Sequence, residues 1–289
     1  MGNTRMVTVD SGSELAALVA LLEYGQHSQS WIRQQTMTGI MPTRIIRDDP
    51  KAATHLNNAA SDIKTWETGG ITVLPWFDAK YPARLRQTRT FPLILFTRGK
   101  IVPDDLGVCV IGSRDASTQD LEVARLITRQ LVSERLTVVS GLARGVDRAA
   151  HREALTVRGR TVAVVGNGVD YYYPPENVRL QETIEDRGLV VSQFWPGAKP
   201  SRGSFPTRNI TMNGYGAGNI IVCASESSGT RHQAKAAMVE GRPVVLMRPV
   251  YETTSWGREL ADSSRLVKVA DSAGQAVDSL LTILDGPVF

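Results

Sequence analysis

From Gly107 onward the chain alternates short, wholly apolar runs with longer amphipathic stretches. The runs are VCVIG from Val108, LTVVS from Leu136, TVAVVG from Thr161, LVVSQ from Leu189, NIIVCA from Asn219 and PVVLM from Pro243. They begin every 24 to 30 residues, the period of a strand followed by a helix. Runs that are apolar throughout belong to strands buried on both faces. The expected fold class is therefore α/β, with a doubly wound, mostly parallel sheet.

The intervening stretches carry helix signals. STQDLEVARLITRQLVSERL puts Leu121, Ala124, Ile127 and Leu131 on one face, with Ser117 or Thr118 as N-cap. Gly229 to Glu240 also reads as a helix, closed by EGRP. SELAALVALLEYG, SQSWIRQQTM and NNAASDIKTWETGG make residues 1–68 a small N-terminal helical region. Residues 69–289 then form the α/β domain and its C-terminal extension, closing on a helix from Ser272 to Leu284. The Gly/Pro-rich stretch FWPGAKPSRGSFPTRNITMNGYGAGN, 194–219, reads as a long loop.

Composition narrows the function classes. The 289 residues are 42% hydrophobic and 21% charged, as in a globular protein. No run is long enough to span a bilayer, and the N-terminus lacks a signal-peptide cleavage pattern. Met6 stands where a myristoylated Met1-Gly2 terminus wants Ser or Thr. A cytoplasmic protein without a membrane partner is expected. Cys109 and Cys223 sit inside apolar runs and read as buried free thiols, and the four scattered histidines have no metal-ligand spacing. Neither metal nor cofactor is expected. The net charge of +4 suits a polyanionic partner without requiring one.

In a doubly wound sheet, ligands bind beyond the carboxyl ends of the strands. The first run ends IGSRDAS, offering Gly112, Ser113 and Arg114, but the later glycines of the dinucleotide fingerprint are absent. The second ends SGLARGVD, with Ser140, the turn glycines Gly141 and Gly145, a projecting Arg144, and Asp147. Asp147 reads as an acid offsetting a helix dipole, and His151, one turn on, as a satisfied, partly buried histidine. The third ends VVGNGVDYYYPPEN, with Gly166 and three tyrosines, of which one is free to stack on a base. The fifth ends in Ser228, Gly229 and Thr230, a turn suited to phosphate. Together these turns point to a phosphate-bearing ligand.

In VIGSRDAS, VVSGLARGVDRAAHREAL, GRTVAVVGNGVDYYYPPEN and FPTRN, the chain resembles the DprA/Smf family of DNA-processing proteins, over about residues 71 to 250. The resemblance implies an extended Rossmann-like fold, binding of single-stranded DNA, homodimerisation and delivery of that DNA to a RecA-type recombinase. It also implies that Arg114 and Arg144 contact DNA and that Arg208 and Asn209 join the same pocket, while Gly112, Ser113, Ser140, Gly141, Gly145 and Asp147 shape its floor. This chain departs from the family pattern at Ile210, where a second arginine is usual, and in its fifth turn, and no C-terminal winged helix is expected.

Two other readings remain open. SGTRHQ resembles the signature of phosphoribohydrolases, but Gln233 occupies the position of their catalytic glutamate, and an amide cannot do that work. Glu226 lies nearby. A nucleotide- or nucleic-acid-sensing module that regulates a partner enzyme, as in phage defence, would use the same fold. The leading expectation is a binding protein rather than an enzyme.

Overall fold

The computed structural model describes residues 11–285. The chain divides into two compact units, Met1–Pro75 and Trp76–Phe289. The Met1-Gly2 terminus and Met6 lie outside the described residues.

In the first unit, helices span Ser11–Glu23, Gln29–Met37 and Leu56–Thr68, matching the three helical stretches of the sequence. Between them lie two short helices, Pro42–Ile45 and Pro50–Ala53, each opened by a proline at a position that needs no intrahelical N–H. Leu18, Leu21 and Ile32 are buried. Buried Glu14 accepts hydrogen bonds from the Thr43 backbone N–H at 2.9 Å and hydroxyl at 2.5 Å. The unit ends on strand β1, Thr72–Pro75.

Among the described residues the second unit holds eight strands: β2 (Ile94–Gly99), β3 (Gly107–Ile111), β4 (Thr137–Ser140), β5 (Thr161–Val164), β6 (Leu189–Ser192), β7 (Gly218–Ile221), β8 (Val244–Met247) and β9 (Val267–Ala270). They run in the order β2-β6-β5-β4-β3-β7-β8-β9. β2 pairs antiparallel with β6, and every other of these pairings is parallel, with Val108 opposite Val138 on one side and Gly218 on the other. From β3 the chain winds outward through β4, β5 and β6, then returns to add β7, β8 and β9 beyond β3. The winding therefore reverses between β3 and β7, the topological switch point where such sheets open a crevice. All six apolar runs of the sequence are strands here. β2 lies before Gly107, outside the repeat, and β9 is short and half-exposed around Lys268, so neither stands among those runs.

Helix Thr118–Ser133 shows why local sequence suffices for some elements. Ser117 accepts from the Asp120 N–H at 3.1 Å and Asp120 accepts from the Ser117 N–H at 2.9 Å, a reciprocal capping box. Ala124, Ile127 and Leu131 are fully buried, in one apolar cluster with Val108, Val138 and Ala150. Ser272 caps the helix Ala273–Leu284 by accepting from the Gln275 N–H.

The stretch 194–219 is not a continuous loop: it contains a twelve-residue helix, Ser204–Tyr215. Its turn-forming residues are compatible with helix for positional reasons. Pro206 lies in the first turn, where no N–H is required. Gly214 fits against Leu85, whose Cδ1 would lie 2.5 Å from an added Cβ, and Gly216 is the C-cap. Both cysteines are buried. Loss of solvation pushes the Cys109 thiol up to about 12 and the Cys223 thiol to about 11. Among the described residues, no helix is long and apolar enough to cross a membrane.

Leu131→Ala is expected to lower the unfolding free energy by about 2 to 5 kcal/mol through lost burial and a residual cavity, measured by urea denaturation.

Candidate functional site

The site is built on the loops that follow β3, β4, β5 and β7. The loop after β4, Gly141 to Gly145, is held from three directions. Buried Asp147, in the first turn of helix Val146–Thr156, accepts from the N–H groups of Gly141 at 3.1 Å and Ala143 at 3.3 Å. Buried Asn177 donates through Nδ2 to the carbonyls of Leu142 at 2.9 Å and Ala143 at 3.3 Å. Arg208, from helix Ser204–Tyr215, donates through Nη1 to the carbonyls of Gly141 at 2.5 Å and Val164 at 2.7 Å, joining the ends of β4 and β5.

The turn glycines admit protein rather than empty space. A Cβ on Gly141 would fall 1.9 Å from Arg208 Nη1, and one on Gly112 would fall 2.5 Å from Val146 Cγ2. Gly145 has φ of +72°, and a Cβ there would lie 2.2 Å from the Ser113 carbonyl oxygen. At Gly166 the neighbour is the Phe205 ring, 3.1 Å away.

Two cavities open on this edge. One, of about 160 Å³, lies between the loops after β4 and β5 and is lined by Arg144, Gly166, Tyr173, Phe205 and Arg208. The other, of about 420 Å³, spans the switch point between the loops after β3 and β7, with Ser113, Asn209, Ser228, Gly229 and Thr230 in its wall. Arg114 lines both. Its side chain is exposed, with the guanidinium carbon 5.1 Å from the centre of the Phe205 ring. It forms no ion pair among the described residues.

The residues singled out from sequence divide by role. Arg144 is exposed and faces Glu176 at 3.5 Å, a solvent-screened pair that costs little to break. Arg208 is 6% exposed, and its guanidinium also donates through Nε to Asn209 at 2.9 Å. Burial lowers its pKa and raises that of Asp147, each opposed by the other's charge. Ser140 is buried and donates to the Val110 carbonyl at 2.7 Å, tying β4 to β3. Ser113 accepts from the Asp115 N–H, and the Ser228 hydroxyl donates to Thr230 Oγ1 while accepting from the Thr230 N–H.

His151 is fully buried, not partly, and only half satisfied: Nδ1 lies 2.7 Å from the Thr161 hydroxyl, while Nε2 is buried with no hydrogen-bond partner among the described residues. Loss of solvation, reinforced by the Arg208 charge, depresses its pKa to about 3, so it is neutral at physiological pH. Phe205 and Asn177 were missed in the sequence, although FPTRN and YYYPPEN contain them. Their side chains act only where distant loops meet. Of the three tyrosines, Tyr173 is exposed at the cavity mouth and Tyr172 is held between Arg98 and Glu185. Buried Gln233 bonds Asn213, and Glu226 accepts from the Ser255 N–H and hydroxyl, so neither offers a free carboxylate to the larger cavity.

The family described as DNA recombination-mediator protein A matches residues 72–277. DNA processing protein DprA of Streptococcus pneumoniae is 40% identical over 171 residues, 58% of this chain and 59% of the relative. Protein Smf of Synechocystis sp. is 37% identical over 175 residues, 58% of this chain and 43% of the relative. The aligned region is thus well under two thirds of either relative. The X-ray structure of DprA from Streptococcus pneumoniae superposes with TM-score 0.67 at 28% identity, covering 96% of both chains. A DprA structure from Helicobacter pylori, described for its single-stranded DNA binding mode, gives TM-score 0.64 at 22% identity, covering 74% of this chain and 96% of that one.

Arg208→Ala should cost about 3 to 5 kcal/mol of stability in urea unfolding, because it strands buried carbonyls and the Asp147 charge. Arg144→Ala should stay within about 0.5 kcal/mol. Because His151 binds its proton less tightly folded than unfolded, it adds stability that is fully present above its ordinary pKa of 6.5. That contribution is lost as pH falls toward about 3. His151→Phe should flatten the rise in unfolding free energy between about pH 4 and pH 7.

Proposed function

Since the chain belongs to the DNA recombination-mediator protein A family, we propose that it binds single-stranded DNA in the paired cavities at the switch point. On this reading it acts as a homodimer, protects single strands and passes them to a RecA-type recombinase, without chemistry of its own. The observation that carries the proposal is the placement of Arg114, which lines both cavities with an exposed guanidinium resting against an aromatic ring. Such a group can hold a phosphate on its outward edge while Phe205 and Tyr173 receive a base. Arg144 adds a second exposed cation, since its contact with Glu176 exchanges readily for a phosphate. Ser113, Asn209 and the Ser228–Thr230 turn contribute polar groups on the larger side.

The engagement of Glu226 by Ser255 and the amide at Gln233 favour binding over glycosidic hydrolysis, which requires a competent carboxylate. The fixed positive charge of Arg208 beneath the cavities would raise the local concentration of any polyanion.

Labelled oligo-dT titrated across a salt series tests this reading. Arg114→Ala is expected to weaken binding and reduce the salt slope by about 0.7, the value of one single-strand phosphate contact. Full affinity in that variant would overturn the proposal. Displacement of the strand by a free mononucleotide at low concentration would move the function to nucleotide sensing.

A further inference from the structure

Helix Val146–Thr156 starts at the Gly141–Gly145 loop and leads away from the two cavities. It carries Arg148 and Arg152 one turn apart on one face, about 6 Å along the axis. Arg125, from helix Thr118–Ser133, faces the same groove, whose volume is about 540 Å³ and whose floor includes Gly145 and Ala149. Apart from Gly145, its lining takes no part in the site described above.

Its charge is unbalanced. Arg148 is half-buried and Arg152 exposed, and neither forms an ion pair among the described residues. The neighbouring acids are already engaged: Glu153 bonds Arg129 at 2.6 Å and Glu122 bonds Arg125 at 2.7 Å. Like charges at this helical spacing repel, so the pair is stabilised by an anion laid across it. Besides three guanidinium groups the lining includes Leu121, Thr156 and the Glu153 carboxylate, which is bonded to Arg129, and it contains no aromatic ring, which suits phosphates rather than bases.

The groove is also continuous with the proposed binding edge. Arg144 lines the smaller cavity while Gly145, its neighbour in sequence, lines the groove, so one loop forms the wall between them. We propose that the groove holds the phosphate backbone of the nucleic-acid strand beyond the portion seated in the cavities, through Arg148, Arg152 and Arg125. This rests on the single-strand reading given above and extends its path along the protein.

The test compares wild type, Arg148→Ala/Arg152→Ala, Arg148→Lys/Arg152→Lys and Arg114→Ala. Each is titrated with an oligo-dT of about four nucleotides, enough for the cavities, and with a strand several times longer, across a salt series. The alanine pair should leave the short oligonucleotide unaffected and lower the long-strand salt slope by about 1.4, two contacts at about 0.7 each. The lysine pair should restore the slope. Wild-type affinity and slope for the alanine pair on the long strand would overturn the groove, as would equal losses on both lengths, which mark damage to the cavities. Failure of the cavity reading is seen separately, as short-oligonucleotide binding that Arg114→Ala leaves intact.

Discussion

A guanidinium taken out of water constrains everything around it. Arg208 is buried at the carboxyl ends of β4 and β5, where its desolvation is offset only by well-placed acceptors and a nearby negative charge. The Gly141 and Val164 carbonyls supply the acceptors and Asp147 the charge. Gly141 can bear no side chain because the guanidinium occupies that space. Asp147 in turn gathers the N–H groups of the same loop, so the loop, the start of helix Val146–Thr156 and the helix bearing Arg208 are positioned together. The same charge helps keep His151 neutral beneath them.

That arrangement divides the cations that line the cavities into two kinds. Arg208 is fixed by its bonds to the Gly141 and Val164 carbonyls, although it also lines both cavities. Arg114 and Arg144 lie outside it on the surface, one against an aromatic ring and the other against an exposed glutamate, and both can re-pair with a phosphate at small cost. A rigid base with exchangeable outer charges suits a ligand that is a flexible polyanion, because the protein is ordered before binding and need not reorganise around it. The helix that begins at the braced loop then presents further arginines away from the cavities, so the loop also sets the direction of the basic groove.

Much of this was legible in the residues. Six apolar runs at a regular spacing identify six strands, and helices such as Thr118–Ser133 and Ala273–Leu284 follow from caps and periodicity because those signals are local. The family motifs direct attention to the loops after β3, β4 and β5, and Arg114 and Arg144 line a cavity there. The helix Ser204–Tyr215 was hidden because Pro and Gly normally mark loops, and only its position against Leu85 and its proline in the first turn make them compatible with helix.

The sequence by itself determined the α/β class, the places of six strands along the chain and a set of candidate binding turns, since each depends on patterns within a few neighbouring residues. Only the tertiary structure decided what those turns do. It sends Arg208 and Ser140 inward, leaves Arg114 outward, fills the glycine spaces with Val146, Arg208 and the Ser113 carbonyl, and brings Phe205 and Asn177 to loops far away in sequence. The reason is physical: whether a polar side chain meets solvent or a buried acceptor depends on packing between distant segments, and no local pattern encodes that burial.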